Sequence, residues 1–129
     1  MTRSVTLLAF AVTVAVLSPA RAQGLKAIAP LSGYQCMMLN LSADQMRNSP
    51  LTVPVFNGPS ETSGKAGLAS GIMIVRSPTN VVNGFTEILF FDGRQLWMKA
   101  NMLEPYKSAS NPDAHCTPSM MSNGKPGFG

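Results

Sequence analysis

Short apolar runs separated by turn residues constrain the fold of this chain more than any other feature of its sequence. Four such runs, mostly β-branched or aromatic, occupy residues 52–56, 72–75, 85–91 and 96–98. Glycine and proline interrupt the chain throughout, with 11 and 10 copies in 129 residues. This pattern favours short strands and tight turns over long helices. We therefore predict a small all-β domain, built as a barrel or a sandwich.

The pair Asp92-Gly93 lies between the last two apolar runs and is the strongest short-range hairpin signal in the chain. A type I′ turn requires positive φ at both central residues, which Asp-Gly accommodates, so we predict a hairpin with that turn. Pro54 falls within the first run. Because proline cannot donate to a ladder, it indicates an edge strand or the start of a strand.

A short helix is predicted from the sequence SADQ, which begins at Ser42. It matches a capping box, in which the serine hydroxyl accepts from the amide three residues on and the Gln45 side chain reaches back. The helix is predicted over residues 43–47, ending before Pro50. A helix this short requires packing against the rest of the domain.

The first 22 residues have the pattern of a secretory signal peptide. Arg3 supplies an early positive charge, residues 5–17 form an apolar run too short to span a bilayer, and residues 20–22 read Ala-Arg-Ala. We expect cleavage after residue 22, which predicts a periplasmic or secreted protein with no transmembrane segment. An uncleaved membrane anchor is the alternative for this segment.

Cys36 and Cys116 are the only cysteines, and an oxidising compartment favours one disulfide between them. Closing a loop of about 80 residues contributes on the order of 4 kcal/mol in the chain-entropy model. Two alternatives involve His115: a metal or catalytic site with Cys116, and a soft copper site with the methionine pairs at 37–38 and 120–121. Adjacent side chains diverge and methionine more often packs, so we predict no metal and no cofactor.

The charge balance excludes several classes of function. Removing Arg3 and Arg21 with the signal peptide leaves eight basic and six acidic residues, without any cluster of lysine and arginine. A nucleic-acid partner is therefore not expected. The acidic residues are scattered singly, and the chain has no nucleophile elbow, phosphate loop or metal-ligand spacing. We predict that the protein is not an enzyme.

Three stretches of the chain resemble successive parts of bacterial SH3-like domains. They are PVFNGPS at 54–60, GLASG at 67–71 and NGFTEILFFDGRQLWMKANMLEP at 83–105. The first resembles the strand that enters a Gly-Pro-Ser turn and a long polar loop, the second the next strand and tight turn, and the third the closing hairpin and final single-turn helix. The chain departs from the family at Phe56, Leu96 and Met102, where arginine, glycine and an aromatic residue are common.

The resemblance implies a small SH3-like barrel over residues 51–106. Residues 23–50 then form an N-terminal extension with the short helix, and residues 107–129 form a C-terminal tail. We expect both ends to be irregular and tied together by the disulfide. Residues 1–22 are the predicted signal peptide.

The function implied by the resemblance is a non-catalytic binding module that recognises a cell-wall peptide or an envelope protein through the loop at 57–65 and exposed aromatic residues. The candidate contact residues are Phe56, Asn57, Glu61, Phe91 and Trp97. Strand alternation leaves open whether Phe56 and Phe91 face outward, and Trp97 could stack on a ligand or fill the core. A structural accessory subunit of a larger periplasmic or membrane-bound complex is the alternative function.

Overall fold

The residues that the computed structural model describes, 24–48, 53–108, 110–111 and 113–129, fold almost entirely into β-strands. The strands are β1 (Ala27–Pro30), β2 (Tyr34–Leu39), β3 (Pro54–Phe56), β4 (Lys65–Leu68), β5 (Ile72–Arg76), β6 (Val81–Val82), β7 (Phe85–Leu89), β8 (Gln95–Lys99), β9 (Leu103–Pro105), β10 (Pro118–Met121) and β11 (Pro126–Phe128). The helix α1 (Ala43–Asn48) and two 3₁₀ turns, Glu61–Ser63 and Ala100–Met102, complete the elements. The all-β class is confirmed, while the predicted signal peptide lies outside the described residues.

Eight strands form one antiparallel sheet in the order β4-β3-β8-β7-β5-β2-β9, with β6 paired to β7. All four apolar runs of the sequence contribute strands to it. Pro54 is the first residue of β3, which pairs with β4 on one side and β8 on the other. It therefore marks the start of a strand and not an edge strand. The sheet also contains β2, although residues 23–50 were predicted to be an extension outside the barrel.

One hydrophobic core is shared by strands from nearly the whole sheet. It comprises Leu39, Val55, Ala69, Met73, Val75, Ile88, Leu96, Met98 and Leu103. Because β3 and β9 lie near opposite ends of the strand order yet contribute Val55 and Leu103 to the same cluster, the sheet curls around its core. Hydrogen bonds do not close it into a complete ring in the described part of the chain.

The prediction of irregular ends is wrong for three segments. Strands β1, β10 and β11 form a separate three-stranded antiparallel sheet, in which Pro30 pairs with Ser119 and Pro118 with Phe128. The Phe128 ring contacts Phe91 with ring centroids 5.6 Å apart, so this sheet packs against the end of the β7–β8 hairpin. Pairing of β1 with β10 joins opposite ends of the chain and leaves little local signal. Strands β10 and β11 instead form a local hairpin around Asn123-Gly124, and that turn signal was not used.

The predicted disulfide is present. Cys36 on β2 and Cys116, two residues before β10, are bonded with their Cα atoms 6.1 Å apart. The bond therefore connects the eight-stranded sheet to the segment that leads into the smaller one.

The capping box at Ser42 is also confirmed. The Ser42 amide donates to Gln45 Oε1 at 2.8 Å, and the Gln45 amide donates to Ser42 Oγ at 3.1 Å. The helix that follows spans six residues. None of the helices within the described ranges is long and apolar enough to cross a bilayer.

The hairpin at Asp92-Gly93 is confirmed, but its predicted type I′ geometry is wrong. Only Gly93 has a positive φ, and its amide donates to the Phe90 carbonyl at 2.9 Å, as in a longer hairpin loop. A turn with positive φ at both central residues occurs instead at Asn83-Gly84, between β6 and β7. That Asn-Gly signal was present in the sequence and was not used to predict a turn.

Candidate functional site

A pair of aromatic residues lies on the sheet face opposite the main core. Phe56 pairs with Trp97, and Phe85 pairs with Lys99, whereas the core residues of β8 alternate with these positions. Phe56 and Phe85 are only 3% and 6% exposed, and their rings meet edge to face at 5.5 Å. Something other than the main core must therefore cover this face.

The loop at residues 57–64 follows directly from β3 and lies within the segment 57–65 that was predicted to contact a ligand. Polar contacts close it upon itself: the Gly58 amide donates to Ser63 Oγ at 2.9 Å, and Ser63 Oγ lies 2.7 Å from the Ser60 carbonyl. The Asn57 amide donates to the Gly64 carbonyl at 3.0 Å, and Asn57 Nδ2 reaches the same oxygen at 3.3 Å. These bonds give the loop a defined shape without a ligand.

Two contacts attach this loop to the neighbouring strands. Glu61 and Lys99 form an ion pair, and Asn83 Nδ2 lies 3.5 Å from the Pro59 carbonyl. The hydrogen bond from Lys99 and then its charge lower the pKa of Glu61, with a smaller contribution from the charge of Lys65. Glu61 therefore stays ionised further into the acid range than an ordinary glutamate.

A cleft of about 590 Å³ opens beside the loop. We define the cleft by the residues that line it: Val53, Pro54, Phe56, Glu61, Lys65, Lys99 and Met102. Its walls are mainly apolar, with one carboxylate and two ammonium groups. A concave apolar surface with a few placed charges is the usual composition of a ligand site.

A second depression of about 470 Å³ lies on the other side of the ion pair. It shares Glu61 and Lys99 with the cleft and continues to Asn83 and Phe85. The Glu61–Lys99 ion pair thus separates two neighbouring depressions. A wider one of about 850 Å³ lies beside the disulfide, and none of the five predicted contact residues lines it.

The structure brings only part of the predicted contact set together. Phe56 and Glu61 line the cleft, whereas Asn57 shapes the loop through its hydrogen bonds to Gly64. Phe56 does not face outward, because it is buried against Phe85. Phe91 packs against Phe128 and is half-buried, so these two phenylalanines do not form an exposed aromatic patch.

Trp97 lies outside the cleft. It is half-buried on β8, between Phe56 and Glu87 in the neighbouring strands. Five cleft residues were not among the candidate contacts, although Lys65 ends the predicted contact loop: Val53, Pro54, Lys65, Lys99 and Met102. Lys99 directly follows the strand predicted at 96–98, and the structure extends that strand to include it. No sequence signal indicated its pairing with Glu61.

The disulfide bears on the alternative metal or catalytic site of His115 and Cys116, because a disulfide sulfur is not a thiolate ligand. No group of three or more His, Cys, Asp or Glu side chains among the described residues could hold a metal ion. The disulfide occupies both thiols, and His115 is exposed beside it.

Comparison with known proteins finds no family model, no curated protein and no solved structure that matches this chain. The functional conclusion accordingly depends on the cleft, its charges and the loop beside it.

Proposed function

We propose that this protein is a periplasmic or secreted, non-catalytic SH3-like binding module that recognises a cell-wall peptide or an envelope protein. The observation that carries the proposal is the cleft beside loop 57–64, where the SH3 resemblance implies a ligand groove. The loop forms one wall, through Glu61, and the 3₁₀ turn Ala100–Met102 contributes Met102 to another.

The order of elements supports the SH3-like part of the proposal. A strand enters a polar loop at Phe56, a hairpin follows at β7–β8, and the 3₁₀ turn Ala100–Met102 comes after it, in the order that the resemblance implies. Strand β9 then pairs with β2, a strand of the predicted N-terminal extension, at the opposite end of the sheet from β3 and β4. A sheet that curls around one core is the arrangement expected of a small barrel.

The chemistry of the cleft favours binding over catalysis. Glu61 is its one carboxyl group, and Lys99 both pairs with it and lowers its pKa. A carboxylate with a lowered pKa is a weak general base, because proton transfer is efficient when the pKa lies near the working pH. The apolar walls and the charges can instead orient and hold a ligand.

The disulfide supports a location outside the cytoplasm. Such bonds form and persist in oxidising compartments and are rare where thiols are kept reduced. The Cys36–Cys116 bond thus agrees with the secretory pattern of residues 1–22.

Sedimentation with purified sacculi tests the wall-binding form of the proposal. We expect the oxidised protein to bind saturably at low and moderate salt, because apolar contacts are insensitive to screening. Lys99→Glu adds a second carboxylate to the cleft beside Glu61 and should weaken binding at least about tenfold. Lys125→Glu makes the same charge change at an exposed turn that lines none of the three depressions, and should bind like wild type.

Absence of wild-type binding at both salt concentrations would contradict wall recognition. Cross-linking in the native envelope would then identify the protein partner. Circular dichroism and thermal unfolding of each variant separate loss of binding from loss of folding.

A structural accessory subunit is the second candidate. Ile28 in the edge strand β1 is 66% exposed and Leu25, two residues before that strand, is 59% exposed. Neighbouring exposed apolar side chains at a sheet edge favour contact with another protein. In that case Ile28→Lys should abolish co-purification with the partner, whereas Lys99→Glu should leave it intact. The opposite result would assign partner binding to the cleft.

A further inference from the structure

We infer that the cleft binds the carboxylate-bearing end of a short apolar peptide, with Lys65 as the residue that holds the carboxylate. This inference rests on the proposed function of the cleft as a binding site. It adds the chemical class of the ligand and the residue that selects it.

The charges of the cleft favour an anionic ligand. Among the described residues, Lys99 is paired with Glu61, whereas no carboxylate lies within ion-pair distance of Lys65. Lys65 makes only the smallest contribution to the lowered pKa of Glu61, which places its charge apart from that pair. The cleft thus carries one uncompensated positive charge, and charge complementarity selects a ligand with one negative group.

Strand register places this lysine next to the apolar wall. Lys65 at the start of β4 pairs with Phe56 on β3 next to a register shift, and both residues line the cleft. Pro54, two residues before Phe56, lies on the same face of β3 as Phe56, and Met102 lines the cleft with them. A ligand could therefore contact this wall with an apolar side chain while its carboxylate reaches Lys65.

The size and charge of the cleft match the end of a peptide. A volume of about 590 Å³ accommodates only a few residues. One unpaired ammonium group matches a single carboxylate, which is what a chain terminus after an apolar residue presents. Both cell-wall stem peptides and protein C-termini carry such a group.

Matched peptides test the inference directly. The oxidised protein is titrated with N-acetyl-Leu-Ala as the free acid and as the C-terminal amide, following the Met102 methyl and Gly67 amide resonances by NMR. We expect the acid to bind about 5- to 10-fold more tightly than the amide at low salt, the range of a charge-assisted hydrogen bond at a partly exposed site. The preference should decrease as salt rises.

Variants of Lys65 identify the anchor. Lys65→Gln should remove the preference for the acid, while Lys65→Arg should retain most of it. Lys125→Gln removes an equal charge from an exposed turn and should leave the preference unchanged. Because Lys65 is exposed and pairs through its backbone, the glutamine variant should fold normally.

The outcomes separate this inference from the proposed function. Equal binding of acid and amide, or a preference that survives Lys65→Gln, overturns the inference and leaves the cleft as a binding site. Sacculus binding without any response to either peptide also overturns the inference. If the protein binds neither sacculi nor the peptides, the inference and wall recognition are both overturned. With a preference for the acid established, replacing the terminal L-alanine by D-alanine distinguishes the sources: tighter binding of the D form indicates a wall peptide, and of the L form a protein C-terminus.

Discussion

Phe56 illustrates how a single side chain can serve both the fold and the site. Its ring is buried edge to face against Phe85, and it also lines the cleft. Loop 57–64 follows Phe56 directly, so the packing of this ring fixes where the loop begins. Replacing Phe56 should therefore change both the stability of the fold and the shape of the cleft.

We expect Phe56→Ala to lower the free energy of unfolding by about 3–5 kcal/mol, because it removes a buried ring and leaves a cavity. Urea denaturation measures the change. Leu68→Ala in the adjacent strand β4 is the control, since Leu68 is 57% exposed and its truncation should cost no more than about 0.5 kcal/mol. Similar costs for the two variants would contradict the burial of Phe56.

The Glu61–Lys99 ion pair predicts the acid behaviour of the loop. Because the folded state lowers the pKa of Glu61, the pair stabilises the protein above the ordinary glutamate pKa, and this contribution is lost as the pH falls through the lowered value. An NMR titration of the Glu61 carboxyl group should give a lower midpoint in wild type than in Lys99→Gln. Lys65→Gln should change the midpoint less, and the reverse order would assign the main interaction to Lys65.

At the level of elements, the turns decide where each strand begins and how loop 57–64 is placed. The β6–β7 turn has positive φ at both Asn83 and Gly84, and Asn83 is also the residue that contacts the Pro59 carbonyl. This turn therefore supports the loop from the side opposite the cleft. Its geometry depends on a backbone conformation that glycine adopts easily and alanine does not.

Gly84→Ala should destabilise the protein by about 1–2 kcal/mol, through the backbone alone. The φ of Gly84 is +79°, and a Cβ atom there would meet nothing within 4 Å, so no steric clash contributes. Gly71→Ala is a matched control, because that site is equally open and lacks a positive φ. Denaturant titration of both variants makes the comparison, and equal effects would contradict the turn geometry.

At the level of the whole molecule, a disulfide and an aromatic contact connect the two sheets. The Cys36–Cys116 disulfide links β2 to the segment before β10, and the Phe91–Phe128 contact packs the smaller sheet against the β7–β8 hairpin. The smaller sheet combines a strand from one end of the described chain with a hairpin from the other end.

Reduction of the disulfide should lower the free energy of unfolding by on the order of 4 kcal/mol, because it frees a loop closed over a sequence separation of 80 residues. Urea titrations with and without reductant measure this, and the double variant Cys36→Ala/Cys116→Ala should match the reduced protein. Intact mass after alkylation provides the control: neither cysteine should be labelled before reduction. Labelling without reduction, or a loss below about 1 kcal/mol, would contradict the proposed role of the bond.

The local features were predicted well because their causes are local. The capping box at Ser42 and the hairpin at Asp92-Gly93 depend on side chains and backbone preferences within a few residues. The apolar runs likewise produced strands where they were expected. Within the site, the position of loop 57–64 followed from the resemblance, and Glu61 and Phe56 line the cleft as candidates from the sequence.

The sequence by itself determined the all-β class, the short helix and the pairing of the only two cysteines, because propensity, spacing and the cysteine count act without knowledge of distant contacts. Only the tertiary structure decided that Phe56 is buried, that β1 pairs with β10, and that Lys99 meets Glu61. The physical reason is that these features join residues far apart in the chain, and a strand pattern does not specify which strand it will pair with or what will cover its faces.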